Sequence, residues 1–461
     1  GHQRRDAQWK HGSVIENYAD IEAAVYAVGG WADGYTNAIP RMLAGLSCPK
    51  KGLVGPWAHK YPHFAEPGPR IGFLQETLRW WDYWLKDIDT GIMDEPEYRV
   101  WMQDSAPPAL WRSEHLGRWV AEPCWPSPNI QQKTLCLNND GSLSSTAGES
   151  GKAPIHSPMT MGQRQGEWCQ YGLVPDHPAD QREDDGCSVV FETEPMAEAM
   201  ELMGAPALSL DVSADRPNAF LIARLCNVAP DGTSTRISYG ALNLTHRDSH
   251  EHPEALEPGR NYRVRLQIND MAQQIPAGHR LRVSLSNQLW PLFWPSPEPV
   301  TVILSTGSST LDLPVRTPRD DDSALHPFGP PESAAPFETV TLEPGDYQRL
   351  VRHDDTTGET RMTVINDSGL VHDPAIDWVF GSRMEQHFDI TEGDPTSARM
   401  TVHWTYRFQR PSTGFDIRTE TRSTLTGTKD DWLFWADCEA FEGAHRVFAR
   451  TWDHCEPRDL N

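Results

Sequence analysis

Over the first ninety residues, short apolar runs alternate with amphipathic stretches. Residues 24–29, AVYAVG, and 52–57, GLVGPW, are apolar runs of strand length that end in Gly-rich or Pro-containing turns. Runs without polar alternation belong to strands buried on both faces, as in a parallel sheet, and the helix-like stretch Ile39–Leu46 between them supplies the crossover. Functional loops then leave the C-terminal ends of the two strands. From Leu74 to Asp87, LQETLRWWDYWLKD, apolar side chains recur at Leu74, Leu78, Trp81 and Leu85, widened by Trp80 and Trp84. This spacing predicts a helix whose aromatic stripe packs against the sheet or the next domain.

After about residue 95 the pattern changes to strict alternation broken by Pro, Gly and Asp. Tyr262, Val264, Leu266 and Ile268 alternate with Arg263, Arg265 and Gln267, and Leu281, Val283 and Leu285 alternate with Arg280, Arg282 and Ser284. Half-buried antiparallel strands read this way, and turns such as Pro230-Asp231-Gly232 and Pro276-Ala277-Gly278 separate them, which suggests a β-sandwich of jelly-roll type. Pro318–Pro336 reads as a surface crossing. Beyond it Met400, Val402, Trp404, Tyr406 and Phe408 alternate with polar neighbours, and further strands at Phe415–Leu425, Trp432–Ala440 and Arg446–Trp452 make an antiparallel meander.

Length and charge narrow the function classes. At 461 residues the chain holds more than one domain, and 41 basic against 65 acidic residues leave a formal net charge of −24. Such a surface repels phosphate backbones and anionic lipid, so neither nucleic acid nor membrane is an expected partner. The eight Cys contain no C-x-x-C pair and read as reduced, mostly buried thiols. With a mean hydropathy of −0.57, no signal peptide and no apolar run of membrane length, a cytoplasmic protein is expected.

Candidate chemistry lies in the first sixty residues. The segments GGWADGY at 29–35 and VGPWAHKYP at 54–62, followed by the Trp-rich helix, resemble the end of the catalytic domain of the cocaine esterase / X-Pro dipeptidyl-peptidase (CocE/NonD) family. DQREDDGCSVVFETEP at 180–195, LNLTHRDSHEHPE at 242–254 and AGHRLRVSLSNQLWPLFWPSPEPV at 277–300 resemble its sandwich domain. The resemblance covers about residues 1–345. It implies an α/β plus all-β fold: the C-terminal part of an α/β-hydrolase domain at 1–95, a galactose-binding-like jelly roll at 96–344, and an accessory antiparallel β region at 345–461.

Carried over residue by residue, the resemblance makes Asp33 and His59 the acid and base of a Ser-Asp-His triad. Both fall just beyond strand ends, Asp before His, in the chain order of α/β-hydrolases. On spacing alone, Asp33 reads equally as a turn residue and His59 as a structural ring. The nucleophile is missing, because no G-x-S-x-G elbow occurs. GLSCP at 45–49 ends in Pro and lies between Asp33 and His59, in the wrong order, and Ser13 lacks the elbow pattern. The expectation is a serine hydrolase of esters or amides, including short peptides, whose nucleophile and oxyanion hole come from a preceding segment. This chain would be inactive alone, held to that fragment or to a second copy through its first 95 residues.

Trp31, Tyr35 and Trp57 flank the dyad as candidate substrate contacts, with hydrolase core as the alternative reading, and His63 reads as a pocket wall. No cofactor is implied. His246, His250 and His252 with Asp248 and Glu251 have metal-ligand chemistry, but extended backbone spreads such neighbours over opposite faces, and no metal is expected. Asn138-Asn139-Asp140-Gly141 reads as a β-turn and not a calcium loop. The competing function is a non-catalytic β-sandwich binding module with a vestigial hydrolase fragment, which would have no use for both Asp33 and His59.

Overall fold

The computed structural model describes residues 2–461, Gly1 lying outside the described residues. Strand occupies 45% of the chain and helix 11%, so the fold is mainly β, arranged in several sheets. A short helix, α1 (Ala7–His11), precedes β1 (Val25–Gly30). β1 pairs in parallel with β2 (Lys50–Gly55), and α2 (Ala38–Gly45) crosses between them with Ile39 and Leu43 buried. β3 (Tyr98–Gln103) adds a third parallel strand, Tyr98 opposite Gly52, and β4 (Gly117–Glu122) returns antiparallel to it.

The sheet does not end there. Strand 271–275 meets β3 at Gln273 and Gln103, and the strands at 200–204, 302–316, 207–214 and 262–267 follow in one twelve-stranded sheet. A second sheet of four strands, at 189–192, 220–228, 234–243 and 280–286, lies over the far half. Alternation explains the join: Leu208, Leu210 and Val212 from one layer meet Leu221, Leu225 and Val283 from the other in a dry core. Val264 and Leu266 are buried while Arg263 and Arg265 point outward, as their period of two requires.

Residues 340–457 form a separate nine-stranded antiparallel sheet. One face of strand 394–410 carries a ladder of rings, with Trp404 and Tyr406 centred 5.3 Å apart and Tyr406 and Phe408 6.3 Å apart. The sheet meets the sandwich where Ile390, Phe388 and Ala398 pack on Met159, Trp290 and Trp294. The Pro-rich crossing before it lies on the first part of the chain: Arg99 Nη1 donates to the His326 carbonyl at 2.7 Å, and Gly72 N to that of Gly329 at 2.8 Å.

Two expectations are corrected. Helix α3 (Phe73–Lys86) forms as predicted, but its stripe of Leu74, Leu78, Trp81 and Leu85 faces solvent, and the sheet is packed by Trp80 and Glu76 instead. Tyr26 in β1 decides this orientation. Its hydroxyl donates to Glu76 Oε1 at 3.0 Å and its ring lies 5.2 Å from Trp80, while Arg79 pairs with the same carboxylate at 2.8 Å. A buried carboxylate so satisfied offsets its desolvation, which composition alone does not reveal. The thiols are all free as expected, but only Cys226 is fully buried, and Cys124 and Cys455 are exposed. Among the described residues, no helix is long and apolar enough to cross a membrane.

Candidate active site

The turn after β1 is shaped by close backbone passage. A Cβ on Gly30 would stand 1.9 Å from the Trp57 carbonyl oxygen, so only glycine fits where the two loops cross. Trp31 N then donates to the Gly55 carbonyl at 2.9 Å and Ala32 N to that of Trp57 at 3.1 Å, which locks the β1 loop to the β2 loop. Asp33 sits at the tip. Its Oδ1 accepts from Tyr35 N at 3.0 Å, and its Oδ2 lies 3.0 Å from His59 Nδ1. A carboxylate only accepts, so Nδ1 carries the proton in this contact. The Asp33 side chain is 13% exposed and that of His59 is 42% exposed. Among the described residues no hydroxyl is hydrogen-bonded to His59.

The sandwich supplies the other wall, through a long loop that the sequence pattern did not single out. Asp176 Oδ2 accepts from Tyr171 N at 2.7 Å and Leu173 N at 3.0 Å, which folds residues 168–177 back over the dyad. The Gln170 carbonyl accepts from His59 N at 2.8 Å, and Tyr171 stands edge-on to the His59 ring at 5.4 Å. Tyr35 flanks the ring on another side at 5.6 Å and is itself met by Trp168 at 5.9 Å. Nothing in EWCQY marks these residues in the sequence, because their proximity to His59 is purely tertiary.

Of the other candidates, Trp31 is half-buried with its indole N–H on the Trp101 carbonyl at 2.8 Å, and Tyr35 is open to solvent. Trp57 is 1% exposed, its N–H held by the Pro69 carbonyl and its ring in the core beneath the turn, so it offers a ligand almost no surface. Its apolar ring is better buried than aimed at substrate. His63 stacks parallel to Phe73, 6.2 Å away. Ser47 lies at the N-terminal end of β2, about 20 Å along a six-residue strand from the end that carries His59.

The residues of the His-rich run 246–252 do not converge on one point. Glu251 pairs with Lys10 at 2.6 Å and Asp248 with Arg247 at 3.2 Å, although His246 Nδ1 and His250 Nδ1 come within 3.2 Å. Asp33, His59 and Cys169 do bring three ligand atoms within 4.8 Å of one another. Cys169 Sγ lies 3.9 Å from Asp33 Oδ1, and burial, joined by the Asp33 charge, raises the thiol above its ordinary range. It is therefore protonated at neutral pH and not an activated nucleophile.

Behind Asp33 a polar cavity of about 370 Å³ opens between the parallel-strand segment and the sandwich. At one end Asp270 N is held by Asn37 Oδ1 at 2.8 Å, and burial pushes the Asp270 carboxyl up to about 7 against the opposing pull of Arg41. An acid raised in this way binds more protons folded than unfolded, so stability falls as pH rises between about 4 and 7. Asp270→Asn should remove that slope, worth on the order of a few kcal/mol. Urea melts at pH 5 and pH 8 measure it; a variant as pH-sensitive as the parent would contradict the burial argument.

A short parallel-strand segment joined to a β-sandwich, with an Asp–His pair at the strand ends, is an arrangement that comparison makes specific. Residues 90–321 match the X-Pro dipeptidyl-peptidase C-terminal non-catalytic domain, half of the chain, and residues 1–61 match the X-Pro dipeptidyl-peptidase (S15 family). The chain belongs to the CocE/NonD X-Pro peptidase family. It is 21% identical over 316 residues to cocaine esterase of Rhodococcus sp. (strain MB1 Bresler), an alignment covering 63% of this chain and 53% of the esterase. Its fold is similar to that of an α-amino acid ester hydrolase, with TM-score 0.56 and 20% identity over 68% of this chain and 59% of that one. A CocE/NonD family hydrolase from Staphylococcus aureus gives 0.53 and 16%, over 68% and 58%. The chain spans about half the length of the curated relatives it matches.

Proposed function

We propose that this chain is the acid–base half of a serine hydrolase that cleaves esters or amides through an acyl-enzyme, with the sandwich, of jelly-roll type, as one wall of its cleft. The observation that carries the reading is the 3.0 Å contact between His59 Nδ1 and Asp33 Oδ2, made beyond the C-terminal ends of two adjacent parallel strands. Asp33 fixes the tautomer. His59 Nε2 takes the proton of a serine hydroxyl as it attacks and returns it to the leaving group. The serine and the oxyanion donors come from a segment carrying the G-x-S-x-G elbow that this sequence lacks. The solvent-facing stripe of Leu74, Leu78, Trp81 and Leu85 on α3 supports a docking face there for that segment or for a second copy.

The chain alone should neither hydrolyse p-nitrophenyl esters above background nor take a covalent label from a fluorophosphonate, as read by intact-mass spectrometry. A stoichiometric adduct on any Ser of this chain would overturn the assignment of the nucleophile to another segment.

A further inference from the structure

The cavity behind Asp33 carries cationic side chains as well as Asp270. Arg112 and Arg236 both line it, and neither forms an ion pair among the described residues. Arg112 Nη2 donates to the Pro107 carbonyl at 2.8 Å. Arg236 Nη1 donates to Gln165 Oε1 at 2.8 Å, and its guanidinium lies 4.4 Å from the centre of the Tyr239 ring. A guanidinium has five N–H donors, so each keeps most of its fork unspent. His177, 8% exposed, also lines this cavity, and its Nε2 is buried without a partner.

Part-buried cations without a counter-charge and an orphaned buried ring nitrogen are costly unless a ligand completes them. The carboxylates that share the cavity do not do so. Asp33 is engaged by His59 and Tyr35 N, and Glu167 is paired with Arg349. Asp104 and Asp270 line the cavity too, but burial alone moves Arg112, which no carboxylate draws upward. After burial, the Arg112 and Arg236 charges help push His177 down, to about 4, so both guanidiniums lie near this neutral ring.

We infer that Arg112, Arg236 and His177 form a carboxylate-binding subsite, so that the cleft takes acyl substrates bearing a carboxylate away from the scissile bond. The planar fork of each guanidinium matches a carboxylate edge, and a cavity of about 370 Å³ suits a small acyl group. Asp33 borders this cavity and also the neighbouring one that His59 lines, so the carboxylate stands between the subsite and the His59 ring. Only the word substrate rests on the hydrolase reading; the anion site itself does not.

The test is binding to the full chain by titration calorimetry, with succinate as the probe and succinamide as its uncharged analogue. Succinate should bind and succinamide should not, and Arg112→Gln and Arg236→Gln should each weaken succinate about tenfold or more. Equal behaviour of succinate and succinamide on the unmodified chain would overturn the inference, whether or not the variants fold. So would undiminished binding in both variants, once circular dichroism shows them folded. Because the readout is binding, a chain that hydrolyses nothing still answers the question, and failure of the dyad would show only in hydrolysis.

Discussion

His59→Ala, introduced into a protein that joins this chain to its nucleophile segment, should lower kcat by about 10³–10⁴-fold with little change in KM. The geometry sets this expectation. Asp33 holds His59 Nδ1, which in the proposed mechanism leaves Nε2 to move the proton between nucleophile and leaving group. Asp33→Asn should cost nearly as much, since an amide that donates toward Nδ1 turns the proton to the wrong nitrogen. Steady-state kinetics on a p-nitrophenyl ester decides. A loss below tenfold for either variant would mean that the pair is structural.

The second large effect concerns stability. Arg316 is fully buried and holds three carboxylates: Glu122 at 2.7 Å, Glu201 at 2.9 Å and Asp322 at 2.8 Å. These come from β4, from the strand at 200–204 and from the Pro-rich crossing. Removing the cation leaves three acids facing one another out of water, and Arg316→Ala should destabilise by about 3–5 kcal/mol. Arg118→Ala is the control. It pairs with the same Glu201, but its side chain is 40% exposed, and surface pairs contribute under about 1 kcal/mol. Thermal melts of the two variants side by side test the contrast; equal shifts would show that the buried cluster has no special weight.

The strands at 24–29 and 52–57 were legible because unbroken apolar runs are needed where a strand is covered on both faces, and they pair in the expected parallel sense. The alternating strands of the sandwich and the meander were legible for the complementary reason. Helix α3 shows where periodicity stops: it located the apolar stripe but not the face that would be covered, which Tyr26 and Glu76 settle through a hydrogen bond far apart in sequence. Within the site, Asp33 and His59 stood in recognisable turns. Trp168, Cys169, Tyr171, Arg112, His177 and Arg236 did not, since the first five sit on loops, and Arg236 on a strand, that only the tertiary fold brings to the cleft.

The seam between the two parts bears on whether one can move against the other. A hinge needs a line across which few bonds run. Here the sheet itself crosses that line at Gln103 and Gln273, and Asn37 bonds to Asn269 at 2.8 Å while His59 N is tied to Gln170. The parallel-strand segment and the sandwich are thereby stitched together, and the loop at 168–177 belongs to the same seam: Asp176 holds Tyr171 N and Leu173 N, the Gly172 carbonyl accepts from the Trp111 indole, and His177 N donates to the Leu110 carbonyl.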